Sequence, residues 1–237
     1  FSSFGSVLKG VGVAMGAVAT AAAAAAIKLG KEVVQQFGEL EQNLGGSEAV
    51  FGEYAASIQK MGEDAYKNLG LSQSEYLATA NKMGALFQGS GLTQQKSLEL
   101  TTQAMQRAAD MASVMGIDMQ VAMDSVAGAA KGNFTMMDNL GVAMNDTTLQ
   151  AYAMSKGIKK STTEMTNQEK IGLAMEMFMD KTAYATGNYA KENETLAGSL
   201  GTAKAAFTNF LDGSGDVDSL VSSFSNLANV VVSSLTE

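Results

Sequence analysis

The chain contains no proline, cysteine, histidine or tryptophan in 237 residues. Each absence excludes something. Proline costs roughly 3 kcal/mol inside a helix, so a chain without it is free to form long uninterrupted helices. Without cysteine there is no disulfide framework and no thiolate metal site. Without histidine, the usual general base at neutral pH and the commonest metal ligand are both missing. Basic charge is scarce as well: 16 Lys and Arg against 24 Asp and Glu leave a net charge of −8. That balance disfavours specific nucleic-acid binding, which needs a basic footprint to displace counterions.

What remains is dominated by small and flexible apolar residues, alanine and 16 methionines among them, with β-branched residues sparse outside short runs. An all-α fold follows from that composition, and the length suffices for one or two domains with a core. The chain starts at Phe1 rather than methionine, so it is expected to be an excerpt or processed product of a longer parent. No charged n-region precedes its apolar N-terminal stretch, which therefore does not read as a signal peptide.

That stretch, residues 10–27, reads GVGVAMGAVATAAAAAAI between Lys9 and Lys28. Its eighteen uncharged residues are long enough to cross a bilayer's hydrocarbon. Only Val11, Val13, Val18 and Ile27 are strongly apolar aliphatics, each worth roughly −0.3 to −0.6 kcal/mol of insertion, so insertion is marginal. Gly12, Gly16, Thr20 and Ala24 place a small residue at every fourth position, a pattern that lets helices approach closely in a membrane or in a narrow protein assembly.

From Val33 onward the pattern changes. Val33, Phe37, Leu40, Leu44, Ser47, Phe51, Tyr54, Ile58, Met61 and Ala65 alternate in spacings of four and three, the a and d positions of a heptad. Such a seam asks for a partner helix, either within the chain or in another copy of it. A long apolar and heptad-patterned helical segment is therefore expected over 1–68.

A multi-helix module of short helices is expected over 69–212, with a linker and C-terminal helix over 213–237. Ser72 with Glu75, Thr135 with Asp138, and Thr166 with Glu169 have the form of capping boxes. Thr93, Asp118 and Asp146 are further helix starts, while Gly89, Gly116, Gly141 and Gly157 are stops and, with Gly70, candidate hinges. Asp212-Gly213-Ser214-Gly215-Asp216 divides a last helix pair expected at about 195–211 and 217–235.

Chemistry is thin. The carboxylate pairs Glu39 with Glu41, Glu192 with Glu194, and Asp216 with Asp218 sit in polar or glycine-rich surroundings. Acid catalysis would need one partner in an apolar pocket, so these read as solvated helix ends. Lys156, Lys159 and Lys160 read as a helix C-terminus. The methionines read as core before binding groove. Gly128-Ala129-Ala130-Lys131-Gly132-Asn133 lacks the glycine spacing and Lys-Ser/Thr pair of a phosphate loop. No catalytic, cofactor-binding or metal-ligating residue is expected.

Residues 69–211 carry a set of pieces in a particular order. Arg107-Ala108-Ala109-Asp110-Met111-Ala112-Ser113 is followed by Asn139-Leu140-Gly141-Val142, then Met165-Thr166 with Glu169-Lys170, then Thr195-Leu196-Ala197-Gly198-Ser199. Together they resemble the helical module of bacteriophage tail tape measure proteins, with Asn133 after Gly132 where many relatives carry an acidic residue. The resemblance implies a mostly helical protein in the lumen of a growing tail, whose length sets the number of tube rings and which is expelled before DNA. It implies several copies, often three, bundled along the axis, assembled in the host cytoplasm and carried in the virion tail. Tail tube, distal tail or baseplate proteins and tail assembly chaperones are the implied partners, with the host inner membrane a further one for the apolar stretch. On this reading the heptad residues Val33, Phe37, Leu40, Leu44, Phe51, Tyr54, Ile58 and Met61 carry self-association, and Gly12, Gly16, Thr20 and Ala24 carry close packing or membrane contact. The same features fit a phage-tail-like bacteriocin or injection machine. A membrane-active helical effector, with residues 10–27 inserting, is the alternative from another class.

Overall fold

A computed structural model describes residues 21–192 and 195–236, and for residues 21–31 and a few near 196 and 232–236 it describes the backbone alone. The fold is all-α, and no strand occurs among the described residues. The apolar run through Thr20, with Gly12 and Gly16, lies outside the described residues; Ala24 lies in the first helix, its side chain undescribed.

That helix, α1, runs Ala21–Phe51. The expected heptad segment does not continue as one helix to residue 68. At Gly52 the backbone turns to a φ of +53°, a conformation that glycine adopts without the steric cost of a Cβ. A 3₁₀ turn, Gly52–Tyr54, follows, and then α2 (Ala55–Glu63) and α3 (Ala65–Asn68). The spacing of four and three survives this break only as a pattern of burial.

The helices that follow start where hydroxyl and carboxylate side chains can satisfy the first free backbone N–H groups. For α4 (Gln73–Gly89), the Ser72 N–H donates to Glu75 Oε2 at 2.9 Å and the Glu75 N–H to Ser72 Oγ at 3.3 Å. Thr93 caps α5 (Gln94–Met115), and Gly116 ends it in the left-handed region. Asp118 caps α6 (Met119–Ala130). Thr166 and Glu169 form the reciprocal box of α8 (Asn167–Lys181).

Two starts lie elsewhere than expected. Thr135 and Asp138 form no box: the 3₁₀ segment Phe134–Leu140 begins after Asn133, whose carboxamide oxygen takes the Thr135 hydroxyl instead. For α7 (Asp146–Ser155) the cap is Asn145, paired with Thr148, one residue before Asp146. Beyond α8 come a 3₁₀ turn, Ala183–Ala185, and α9 (Asn188–Glu192). The expected final pair is present as α10 (Leu196–Asp212) and α11 (Val217–Thr236), packed on each other.

The chain forms two compact units, each drawn from separate stretches of sequence, where a reading along the chain divides it into consecutive segments. Unit 1 comprises 1–45, 59–76 and 193–237; unit 2 comprises 46–58 and 77–192. In unit 2, α5 packs against α6, α8 and α9. Its core is built of Phe51, Ile58, Leu77, Met83, Phe87, Met105, Met111, Met123, Met137, Leu140, Met144 and Phe178, all essentially inaccessible to solvent. The methionines here are packing residues, their unbranched thioethers filling irregular gaps between helices. In unit 1, α10 packs on α11 and α3, with Tyr66, Ala205 and Ala206 in one buried cluster.

Candidate functional site

The expected self-association seam divides by burial. Val33, Leu40, Phe51 and Ile58 are buried within the chain, Leu44 and Tyr54 are half-buried, and Phe37 and Met61 are exposed. Half of the seam thus spends its apolar surface inside the single chain.

Of the carboxylate pairs, Glu39, Glu41, Asp216 and Asp218 are exposed and Glu192 is half-buried. Asp216 accepts the Ser219 N–H at 2.6 Å as a helix-start cap, and that bond holds its carboxyl below the usual carboxylate range. Glu194 lies outside the described residues. Among the described residues no group of three or more Asp and Glu converges as a metal site, and no helix is long and apolar enough to cross a membrane.

The lysine cluster does more than sit at a helix end. Lys156 bridges Glu176 at 3.1 Å and Asp180 at 2.6 Å, and Tyr152 Oη donates to the same Asp180 oxygen at 2.5 Å. Burial, with the hydrogen bond to Asp180, pushes the Tyr152 phenol up to about 12. Lys160 pairs with Glu169 at 2.7 Å. That contact, with the Thr166 N–H, holds the Glu169 carboxyl down to about 2. These are ties between α7 or its following loop and α8, and the partly exposed ion pairs contribute modestly in water.

Two polar arrangements are buried. Along α5, Arg107, Asp110 and Ser113 share a face at helical spacing and hold the segment that follows α8. Arg107 Nη1 donates to the Met179 carbonyl at 3.0 Å and to Thr182 Oγ1 at 3.2 Å. Asp110 accepts the N–H groups of Gly187 at 3.0 Å and Tyr189 at 3.1 Å, and so caps α9 from a different helix. Ser113 Oγ accepts from Asn188 Nδ2 at 2.9 Å. Buried polar side chains survive when their hydrogen-bonding capacity is met, and Asp110, 1% exposed, is met on both oxygens.

Asp212, the last residue of α10, is the contrasting case. It is fully buried, its Oδ1 accepts the Ser214 N–H and hydroxyl at 2.9 and 2.6 Å, and its Oδ2 has no donor. Loss of solvation, with a smaller push from the Glu75 charge, raises its carboxyl to about 6 against the pull of Ser214. The expected linker is therefore a tight turn with a buried acid at its root. Gly215 donates to the Asn209 carbonyl at 2.8 Å, and a Cβ at Gly215 would stand 2.9 Å from the Asn209 Cβ.

Residues 130–133, at the end of α6, border an open cleft of about 680 Å³ together with Ser90, Asn145, Asn167 and Lys170. Its charged groups are Lys131, Lys170 and Asp146, two positive and one negative.

The pieces that carried the resemblance occupy joints of this fold. Arg107 and Asp110 hold the α8–α9 segment; Asn139 donates to Ser125 Oγ at 3.1 Å, and Leu140 and Val142 are buried around the left-handed Gly141. Thr166 and Glu169 cap α8, and Thr195 caps α10 through the Gly198 N–H. Reading along the chain missed the burial of Asp110 and Asp212. The available signal was an acid set among Ala108, Ala109, Met111 and Ala112 on an apolar helix. Comparison with protein-family models, with characterised proteins and with solved structures finds no match to this chain.

Proposed function

We propose that this chain is part of a bacteriophage tail tape measure protein: a structural component of the tail lumen that takes part in setting tail length and leaves before DNA. The observation that carries the reading is the ordered set of pieces between residues 107 and 199, each of which falls on a cap or buried anchor of the helical fold. Motifs at such positions specify a fold rather than a reaction, which suits a protein acting by shape and span.

A ruler works because an α-helix rises about 1.5 Å per residue, so the 31 residues of α1 span about 46 Å. Unit 2 is a compact body and does not lengthen in that way. Within this reading, length is counted by extended helical parts of the protein, and residues 77–192 form a folded module at one end of the bundle. Copies associate in the lumen, as a trimer in the resemblance, contacting tail tube and distal tail or baseplate proteins, with assembly chaperones in the host cytoplasm. The acidic balance suits a lumen through which DNA passes without sticking.

Electron microscopy of particles assembled with in-frame deletions tests this. A deletion in an extended helical part shortens the tail by about 1.5 Å for each residue removed. A tail of unchanged length, or particles lacking the protein altogether, would overturn the reading.

A further inference from the structure

Unit 1 leaves a set of apolar side chains in solvent beside its buried ones. The bulkiest fully buried side chains of the described structure, Phe51, Phe87, Phe178 and Ile58 among them, all belong to unit 2. Among its described residues unit 1 buries Tyr66, Leu69, Leu71, Tyr76 and Leu211 together with alanines of α10, and leaves Val34, Leu200, Val217, Val221 and Phe224 about half exposed.

On α11 this exposure has a register. Val217, Val221, Phe224, Ala228 and Val231 follow one another at spacings of four, three, four and three and are all exposed, while Leu220, Ser223, Leu227 and Val230 turn another side inward. Strict alternation of four and three keeps an apolar stripe on one side of a helix that supercoils left-handedly around a like partner. These side chains leave on the order of 300 Å² of apolar surface on α11 alone, a size at which a patch on a monomer marks a contact surface. Two facing stripes bury about 600 Å², below the roughly 1,000 Å² of a stable specific interface and on the scale of a weak, reversible contact.

We infer that α11 is a self-association helix, its outer stripe packing against the same stripe of a second copy of this chain. Charge favours that occupant. Asp218 is the only charged residue of α11, so two copies meet here without the like-charge repulsion that a net charge of −8 imposes elsewhere. The repeat is also self-matching: a seven-residue stripe is complementary to itself. The inference deepens the proposed bundling of copies and rests on that reading for its setting, placing the contact on α11 rather than on the half-buried seam of residues 33–61.

Phe224 is the central residue of the stripe, and in a parallel, in-register pair it meets Phe224 of the other copy. Sedimentation of the full chain over a range of concentrations is expected to show reversible association. Phe224→Glu and Phe224→Lys each weaken it by at least about a hundredfold, with helix content by circular dichroism unchanged because the residue is half exposed. Mixing the two variants restores association, a result that misfolding cannot produce. Val121→Lys, at an exposed apolar site of unit 2, leaves association intact. Association that persists in both Phe224 variants, or a mixture that stays monomeric, overturns the inference while leaving the tail-length reading to its own test. So does a wild-type chain monomeric at every concentration, the behaviour expected if residues 1–20 of the same chain cover the stripe.

Discussion

Asp110 and Asp212 show how differently a protein can bury the same side chain. Asp110 receives two backbone N–H groups, one on each oxygen, and each such bond to a charged acceptor is among the stronger ones in a protein. Asp212 receives both of its bonds on one oxygen, both from Ser214, and leaves the other dry. It also sits at the C-terminal end of α10, where the helix dipole opposes a negative charge. Its carboxyl titrates near 6 in the folded chain against 3.8 as an ordinary carboxylate. The folded state therefore binds a proton more readily than the unfolded state, and the burden of the buried charge is fully present above pH 6. It is relieved as pH falls through 6 and is gone below the unfolded value. Asp212→Asn removes the charge while keeping an acceptor for Ser214. At neutral pH it is expected to raise the stability of the chain by about 1–3 kcal/mol. Urea unfolding at several pH values checks this: the gap between variant and wild type closes between pH 6 and pH 4. A gap constant across that range would show that charge is not the cause.

At the scale of the element, what was legible in the sequence was what is local. The boxes at Ser72 and Thr166 and the caps at Thr93 and Asp118 need only residues within one turn, and each is formed as read. The Thr135 box fails because Asn133, two residues earlier, competes for the same hydroxyl. The end of α1 escaped notice for a related reason. Gly45 and Gly46 remain helical although they are adjacent glycines, and it is Gly52 that takes the positive φ. The partners of Asp110 were not legible because they lie 77 and 79 residues away. The same non-local logic governs Gly84, an unremarkable glycine inside α4. A Cβ there would overlap the ring of Phe51, which is fully buried and cannot swing into solvent, and would press on Val50 Cγ1 at 3.0 Å. Alanine normally gains about 1 kcal/mol over glycine in a helix. Here overpacking, typically about 1–3 kcal/mol, outweighs that gain. Gly84→Ala is expected to lower the unfolding midpoint, whereas Gly38→Ala in α1, with open space at its Cβ, raises it. Thermal unfolding of the two variants side by side checks the pair of signs.

For the whole molecule, the two units differ in what holds them. Unit 2 closes large side chains around α5 and ties the α8–α9 segment to it with buried hydrogen bonds. Unit 1 packs alanines of α10 against Tyr66, buries Leu69, Leu71, Tyr76 and Leu211 as smaller contributions, and leaves Val217, Val221 and Phe224 about half exposed. Burial of apolar area supplies stability at about 25 cal/mol per Å², so the two units open at different free energies. Amide hydrogen exchange on the dilute chain is expected to show α5 and α6 protected longest and α11 exchanging first. Raising the chain concentration then separates two origins of α11's weakness. If its outer stripe is covered by another copy, protection along Val217–Val231 grows with concentration while that of α5 does not change. If α11 is as protected as α5 when dilute, the asymmetry drawn from side-chain burial is wrong.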